Sequence, residues 1–353
     1  MKDLLKKLTS IPAISGDEKK LTDFVYSHFK SLNFATFRDD FGNVWAYNYA
    51  AESHQDSNIQ NTRDPDVQPD IMFEAHIDEV GFMVTKVCDN GFIKVAPVGG
   101  VDPGILQNIE VVIHTKNGDI PGVFCSIPPH LKDKTTDDKP PQIKDLYIDT
   151  FGVTSIEIGD YVSYIHEFSE LTNDTFASKS LDNRVGIALL LKIAEYVSQN
   201  TYSTNNPPKK IAFLASVQEE VGCRGAAMGG YKILPKKAIV IDVTHGISPN
   251  VTAEDDAFKL DSGVAIGAGA TLDKQIFHRL KELATNANIP YTVEVCGANS
   301  GTNAWSLQNL AGGIPCGLIS IPLRYMHSPS EVAQLYSIDS TLKLMQEVCQ
   351  NGI

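Results

Sequence analysis

Four short runs along the chain are apolar almost without interruption: IMFEAH (71–76), IAFLASV (211–217), AIVIDV (238–243) and GLISIP (317–322). Each has the length of a strand and the β-branched and aromatic content that suits a pleated surface. Strands of a parallel sheet covered on both faces lack polar alternation, and these runs read that way. Helical periodicity separates the last three, with RVGIALLLKIAEYV (184–197) preceding one and KQIFHRLKELATNA (274–287) preceding another. The alternation predicts an α/β domain whose mixed, mainly parallel sheet is covered by helices.

Upstream, Leu4, Leu5 and Leu8 predict a short helix that stops near Pro12. The stretch SGDE (15–18) offers a capping box, with Ser15 accepting from the backbone three residues on and Glu18 reaching back. Leu21, Phe24, Val25 and Phe29 then predict a second helix with one buried face. Residues 51–70 are polar, punctuated by proline, and read as an exposed loop.

Between Val80 and about Ile165 the pattern changes. FMVTKV, FIKVAPV, IEVVIHT, GVFCSI and DYVSYI are short strand-like pieces separated by DNG, KNGD and GD turns, without a helical period. That predicts a small β-barrel or sandwich inserted in the α/β domain. The proline- and lysine-rich stretch 127–145 reads as a loop of this module.

Length and charge narrow the function. A chain of 353 residues suits two domains, or one with a large insertion. With 42% hydrophobic and 21% charged residues it has ample material for a packed core. A formal charge of −13 argues against nucleic acid or an anionic membrane as the main partner. The segment MKDLLKKLTS lacks the apolar core of a signal peptide, and no run is long enough to span a bilayer. Cys88, Cys125, Cys223, Cys296, Cys316 and Cys349 form no CxxC pair and read as thiols of a reducing compartment. A cytoplasmic location is expected.

Candidate chemistry lies where the runs end, because open parallel sheets bind ligands beyond the carboxyl ends of their strands. The first run closes with His76 and Asp78, the second with Glu219 and Glu220, and the third contains Asp242. His327 follows the fourth, and Asp182 sits where a helix would begin. Imidazole and carboxylate without sulfur is a donor set that zinc or cobalt accepts. Two histidines and three carboxylates are too many for one tetrahedral site and suit two metals sharing a bridging carboxylate. Consecutive residues of an extended segment point oppositely, which leaves Glu220 for a metal and Glu219 free to act on water. Most of these residues also have a plainer reading; Asp242 is less easily dismissed, because a carboxylate in an apolar strand needs a partner. His76 and His327 would serve as hydrogen-bonded or surface groups, Asp182 as a helix N-cap, and the glutamate pair as a solvated turn.

The stretches FGNV (41–44), AHIDEVGFMV (75–84), IPPHL with DLYID (127–149), KSLDNRVG (179–186), VQEEVGCRGA (217–226), IDVTH (241–245) and RYMHSPSEV (324–332) resemble the glutamyl and tetrahedral aminopeptidase family of dinuclear metallopeptidases. The resemblance runs from about residue 10 to 345, in the family's order. It implies a zinc-peptidase-like domain, residues 1–79 and 166–353, interrupted by a β-rich, PDZ-like dimerisation domain over 80–165. It implies two divalent metal ions per subunit, zinc or cobalt. His76 and Asp242 would complete one metal, Glu220 and His327 the other, and Asp182 would bridge them. Glu219 matches the general base and Asp78 the acid that orients His76. Short peptides are the implied substrate, and a homo-oligomer of dimers, up to a hollow tetrahedral dodecamer, the implied assembly.

Three departures accompany the resemblance. The family's usual GTDAG reads GTNAW (301–305), so Asn303 removes a charge and Trp305 adds a ring. The loop 51–70 is longer than the family pattern, and SGVAIGAG (262–269) keeps only part of a glycine-rich segment. Competing functions are an acyl-amino-acid deacylase or carboxypeptidase with Arg184, Arg224 or Arg324 as a carboxylate clamp, and a metal-binding scaffold without turnover. The endoglucanase label that some family members carry is set aside, because a sugar site needs aromatic platforms and a carboxylate pair without metals.

Overall fold

The computed structural model describes residues 1–49, 68–131, 141–200, 210–252 and 257–353. Most of the predicted loop 51–70 and the middle of 127–145 therefore lie outside the described residues. The chain opens with α1 (Lys2–Thr9) and α2 (Lys19–Ser31), which bury Leu5 and Leu8, and Leu21, Val25 and Phe29. The expected capping box does not form. Glu18 occupies the N-cap position of α2 without a side-chain cap, and the Ser15 hydroxyl donates to Asp78 at 2.6 Å. Ser15 is engaged by a partner far along the chain, and Glu18 accepts from the neighbouring Gly16 N–H as well as from the distant Gln218 N–H.

β1 (Ala35–Arg38) and β2 (Val44–Tyr47) form a hairpin that leads to β3 (Ile71–His76). The next six strands are β4 (Gly81–Val87), β5 (Phe92–Val98), β6 (Glu110–Thr115), β7 (Gly118–Phe124), β8 (Ile148–Asp149) and β9 (Tyr161–Tyr164). They close an antiparallel barrel in the order β4-β5-β8-β7-β6-β9. Inward-facing Phe82 packs edge-on against Phe124 and Tyr164, with centroids 5.1 and 5.6 Å away. Every strand in the barrel is short and paired on both sides, which is how a small all-β module removes its edges.

The chain then passes through β10 (Ser169–Glu170), β11 (Thr175–Ser178), α3 (Leu181–Gln199), β12 (Ile211–Ser216), α4 (Arg224–Ile233), β13 (Ala238–His245) and β14 (Val264–Gly269). It ends with α5 (Lys274–Asn286), β15 (Tyr291–Cys296), α6 (Ala304–Leu307), β16 (Cys316–Leu323), β17 (Glu331–Gln334) and α7 (Leu335–Asn351). The main sheet has the order β1-β2-β12-β3-β13-β16-β14-β15. The four apolar runs are its central strands β12, β3, β13 and β16, all parallel to their neighbours within that set. β2 and β14 flank them antiparallel, so the sheet is mixed and mainly parallel, as expected. A small antiparallel sheet, β10-β11-β17, lies outside that expectation.

One face of the main sheet packs on α2, α3, α5 and α7, with α1 against α3, through a large core that includes Phe73, Phe213, Ile241 and Ile319. The other face packs on α4 and α6 through Met72, Leu214, Val240 and Leu318. No helix among the described residues is long and apolar enough to cross a membrane. None of the six cysteines forms a disulfide.

Candidate active site

Strand parity decides which side chains meet. On β3, Met72, Glu74 and His76 share a face; Leu214 and Ser216 do so on β12, and Val240 and Asp242 on β13. That face is apolar where the strands begin, under α4 and α6, and polar where they end. β3 and β13 pair only as far as Glu74–Val240. Beyond that point His76 Nε2 and Asp242 Oδ1 stand 3.7 Å apart.

Asp182 lies between two imidazoles. Its Oδ1 is 3.2 Å from His76 Nε2 and its Oδ2 is 3.3 Å from His327 Nε2. His327 Nε2 is also 3.2 Å from Glu220 Oε2. Asp182 does not cap α3: Ser180 holds the N-cap position, and the Asp182 backbone is extended there (φ −79°, ψ 106°). Fully buried Glu331 accepts from the Asp182 N–H at 2.9 Å and the His327 N–H at 2.7 Å, fixing both residues at once. Glu331 lies beyond the strand ends where candidates were sought, and its one signal in the sequence is an acid four residues after His327 in SPSEV.

The glutamate pair departs from the extended geometry expected of it. Strand β12 ends at Ser216, Gln218 takes a left-handed conformation (φ 57°), and the chain turns. Both carboxylates consequently reach the same side, and donor atoms of His76, Glu219 and Glu220 lie within 4.8 Å of one another. Two further trios meet the same limit, His76–Asp182–Asp242 and Asp182–Glu220–His327. All five residues expected to bind metal are therefore gathered here, together with Glu219. Asp78 is beside them, fully buried, with its Oδ1 3.4 Å from His76 Nδ1; that is ion-pair range but outside hydrogen-bond geometry, and His76 Nδ1 has no hydrogen-bond partner.

The electrostatics of the cluster call for a cation. Burial, reinforced by the Asp182 charge, pushes Glu220 upward, and burial likewise raises Glu219 and Asp242. Against its own burial, Asp182 is lowered by His327 and His76, while His327 is driven to about 11 by Asp182 and Glu220. Buried Glu220 Oε1 has no hydrogen-bond partner. Desolvated carboxylates crowded in this way are relieved by a divalent ion. Separations of 3.2–3.7 Å between donor atoms match the edges of about 3.3–3.6 Å expected for a tetrahedron with bonds of about 2.0–2.2 Å. The donor set thus fits a carboxylate–histidine metal site.

Other sequence candidates find different roles. Arg184 is fully buried and donates to the Leu8, Ile11 and Ile77 carbonyls and to Glu79, so it is not available as a substrate clamp. Glu79 also receives Lys179 and Ser180; against burial, the Lys179 and Arg184 charges hold it down to about 2. Arg224 and Arg324 donate to the Val221 and Ile247 carbonyls.

Asn303 explains its own departure from GTDAG. It is 1% exposed, and its Nδ2 donates to Glu74 Oε1 at 2.8 Å and to Ser216 Oγ at 3.0 Å. Burial raises Glu74 to about 8. An aspartate at 303 would set a second carboxylate against Glu74 and remove both donated bonds. Asn303→Asp is expected to lower unfolding stability by about 1–3 kcal/mol, and more at pH 9 than at pH 6. Urea unfolding at the two pH values checks this; an unchanged midpoint at pH 9 would contradict it. Trp305 is 39% exposed, at the start of α6.

Comparison with known proteins finds relatives of the same fold. A candidate aminopeptidase of Acetivibrio thermocellus is 34% identical, covering 98% of each chain. An aminopeptidase structure from the archaeon Desulfurococcus kamchatkensis superposes with a TM-score of 0.85 at 30% identity, over 99% of this chain and 94% of that one. The TET1 peptidase of Pyrococcus horikoshii, which can assemble into a tetrahedron or a large octahedral shell, superposes with a TM-score of 0.82 at 25% identity, over 99% of each chain. The family model for M42 glutamyl aminopeptidases matches residues 57–344, and the chain belongs to that family.

Proposed function

We propose that this protein is a metal-dependent aminopeptidase that removes residues from the free N-termini of short peptides, with Glu219 as general base. The observation that carries the reading is Asp182 set between His76 and His327, one carboxylate oxygen toward each, with Asp242 and Glu220 on the outer sides. That arrangement fits His76, Asp182 and Asp242 as ligands of one divalent ion and His327, Asp182 and Glu220 as ligands of the other. Zinc or cobalt suits these donors. When bound, two such ions acidify water and polarise a carbonyl.

The side chains supply the rest. Glu219 takes a proton from the attacking water and returns it to the departing amine. Burial raises its pKa toward the neutral range that this double duty needs. Asp78 faces the other ring nitrogen of His76 at ion-pair distance, 3.4 Å, where its charge would orient the ring, and it accepts from the Glu219 and Glu220 N–H groups at 2.9 and 3.1 Å. A protonated α-amino group is drawn to a site this rich in carboxylate, whereas a substrate carboxylate would meet no free buried arginine among the described residues.

The same reading divides the chain into a catalytic unit, 1–79 with 166–353, and an inserted barrel, 80–165, that joins subunits. Phe151 and Ile158 on the barrel module, 69% and 71% exposed, suit such a contact. Assembly into dimers, and from dimers into a tetrahedral dodecamer, is the oligomer this supports, in the cytoplasm. The test is a panel of aminoacyl-p-nitroanilides, each with its N-acetylated twin. Release of p-nitroaniline is expected from the free-amine member only; release of acetate from the acetylated twins would favour a deacylase instead.

A further inference from the structure

We propose that Glu18 and Asn43 are positioning residues for the catalytic glutamates, acting through the backbone that carries them. The proposal rests on the reading of Glu219 as base and Glu220 as ligand.

Past the end of β12, the four amides 217–220 have no strand to pair with, and buried amides need acceptors. Each is taken by a side chain from elsewhere. Val217 N–H donates to Asn43 Oδ1 at 3.0 Å and Gln218 N–H to Glu18 Oε1 at 3.2 Å. Glu219 and Glu220 N–H donate to the two oxygens of Asp78. The acceptors come from three separate segments and are 0%, 4% and 0% exposed at Asn43, Glu18 and Asp78.

Every acceptor is itself held. Asp39 accepts from Asn43 Nδ2 at 2.8 Å and from the Asn43 N–H at 2.9 Å. Glu18 Oε1 also accepts from the Gly16 N–H at 2.8 Å, and Ser15 donates to Asp78. The carbonyls of the segment are engaged from the opposite side, where Gly225, Arg224 and Cys223 N–H donate to Val217, Gln218 and Glu219. Gly225 permits that approach, since a Cβ there would lie 2.1 Å from the Val217 carbonyl oxygen and 2.5 Å from Asn43 Oδ1.

The turn is therefore shaped by its surroundings. Gln218 gains little from a left-handed backbone on its own account, and the Glu18 bond falls on that residue's amide. Without it Gln218 can relax, and Glu219, the next residue, moves with it. Displacements of an ångström are costly to a pre-organised site. Glu18 and Asn43 are not placed against the reacting atoms and act only through Gln218 and Val217.

The test compares Glu18→Ala, Glu18→Gln and Asn43→Ala in the full-length, metal-loaded protein. Steady-state kinetics on the best free-amine substrate are read beside amide hydrogen exchange of the 217–220 segment. Glu18→Ala is expected to lower kcat by about 10- to 100-fold with KM changed less than about twofold. Its exchange at 217–220 should rise about tenfold. Glu18→Gln keeps the Oε1 acceptor and should restore both quantities to within about threefold of wild type. Asn43→Ala, with its fully buried site, is expected to follow Glu18→Ala in both readouts if it folds, and Glu18→Ala stands alone if it does not. Wild-type kcat in Glu18→Ala, a rise in KM alone, or failure of Glu18→Gln to rescue would overturn the proposal. An inactive wild-type protein would instead overturn the aminopeptidase reading. The exchange data then decide the positioning claim by themselves, and unchanged exchange in Glu18→Ala refutes it.

Discussion

Glu219→Gln is expected to lose kcat by about 10²- to 10⁴-fold while binding as much metal as the wild-type protein. The amide keeps the size of the side chain and can still accept from Cys223 Sγ, which lies 3.2 Å from Glu219 Oε1. It cannot take a proton from water. The geometry leaves Glu219 a second role, because its donor atom lies with those of His76 and Glu220 inside one 4.8 Å group. Metal analysis separates the two. A base leaves metal content unchanged and KM close to wild type, whereas a ligand lowers metal content together with activity. Glu220→Gln is the matching control and should show the ligand pattern.

Removing the metals should abolish hydrolysis and make the stability of the protein fall as pH rises. Glu74 is raised by burial to about 8 and Glu18 to about 7, and Glu219 and Glu220 are raised as well. A group whose folded pKa exceeds its unfolded value contributes stability below the unfolded pKa and loses it as pH climbs through the folded one. His76 and His327, raised against their burial by neighbouring carboxylates, have the same sign. From pH 5 to pH 9 these groups all act in one direction. Asp78, Asp182 and Glu79 are lowered despite burial, by His76, by His327 with His76, and by Lys179 with Arg184 respectively, so their contribution is lost only in acid. Metal-stripped protein should thus be most stable at mildly acidic pH. Zinc in large excess should raise its Tm by about 10 °C, and by more at pH 8.5 than at pH 5.5. Thermal unfolding at the two pH values checks this. A metal effect that is the same at both, or larger at pH 5.5, would contradict it.

What the sequence made legible follows from how local each signal was. The central strands announce themselves because both their faces are covered, leaving no polar alternation to confuse them with half-exposed strands. His76, Asp242 and the glutamate pair stand out as candidates because open parallel sheets bind ligands beyond the carboxyl ends of such strands. The barrel was visible in its turn spacing. Signals that depend on distant partners misled or were lost. Ser15 and Glu18 have the spacing of a capping box, yet Ser15 donates to Asp78, and Glu18 accepts from Gly16 and from distant Gln218. The glutamates were expected in an extended segment, and nothing local in QEE reveals that three side chains from other segments curl it. Glu331 looks like an ordinary surface acid until its bonds to Asp182 and His327 are seen. Asn303 looked like a weakened pocket and turned out to answer Glu74, a residue 229 positions away.

The central claim is a two-metal site that acts on peptides with a free amine. Titrating metal-stripped protein with cobalt(II), while following hydrolysis of a free-amine anilide, tests it most directly. Activity should climb to a plateau at about two equivalents per chain, with no turnover of the acetylated twin at any point. A plateau at one equivalent, or full activity before any metal is added, would contradict the account.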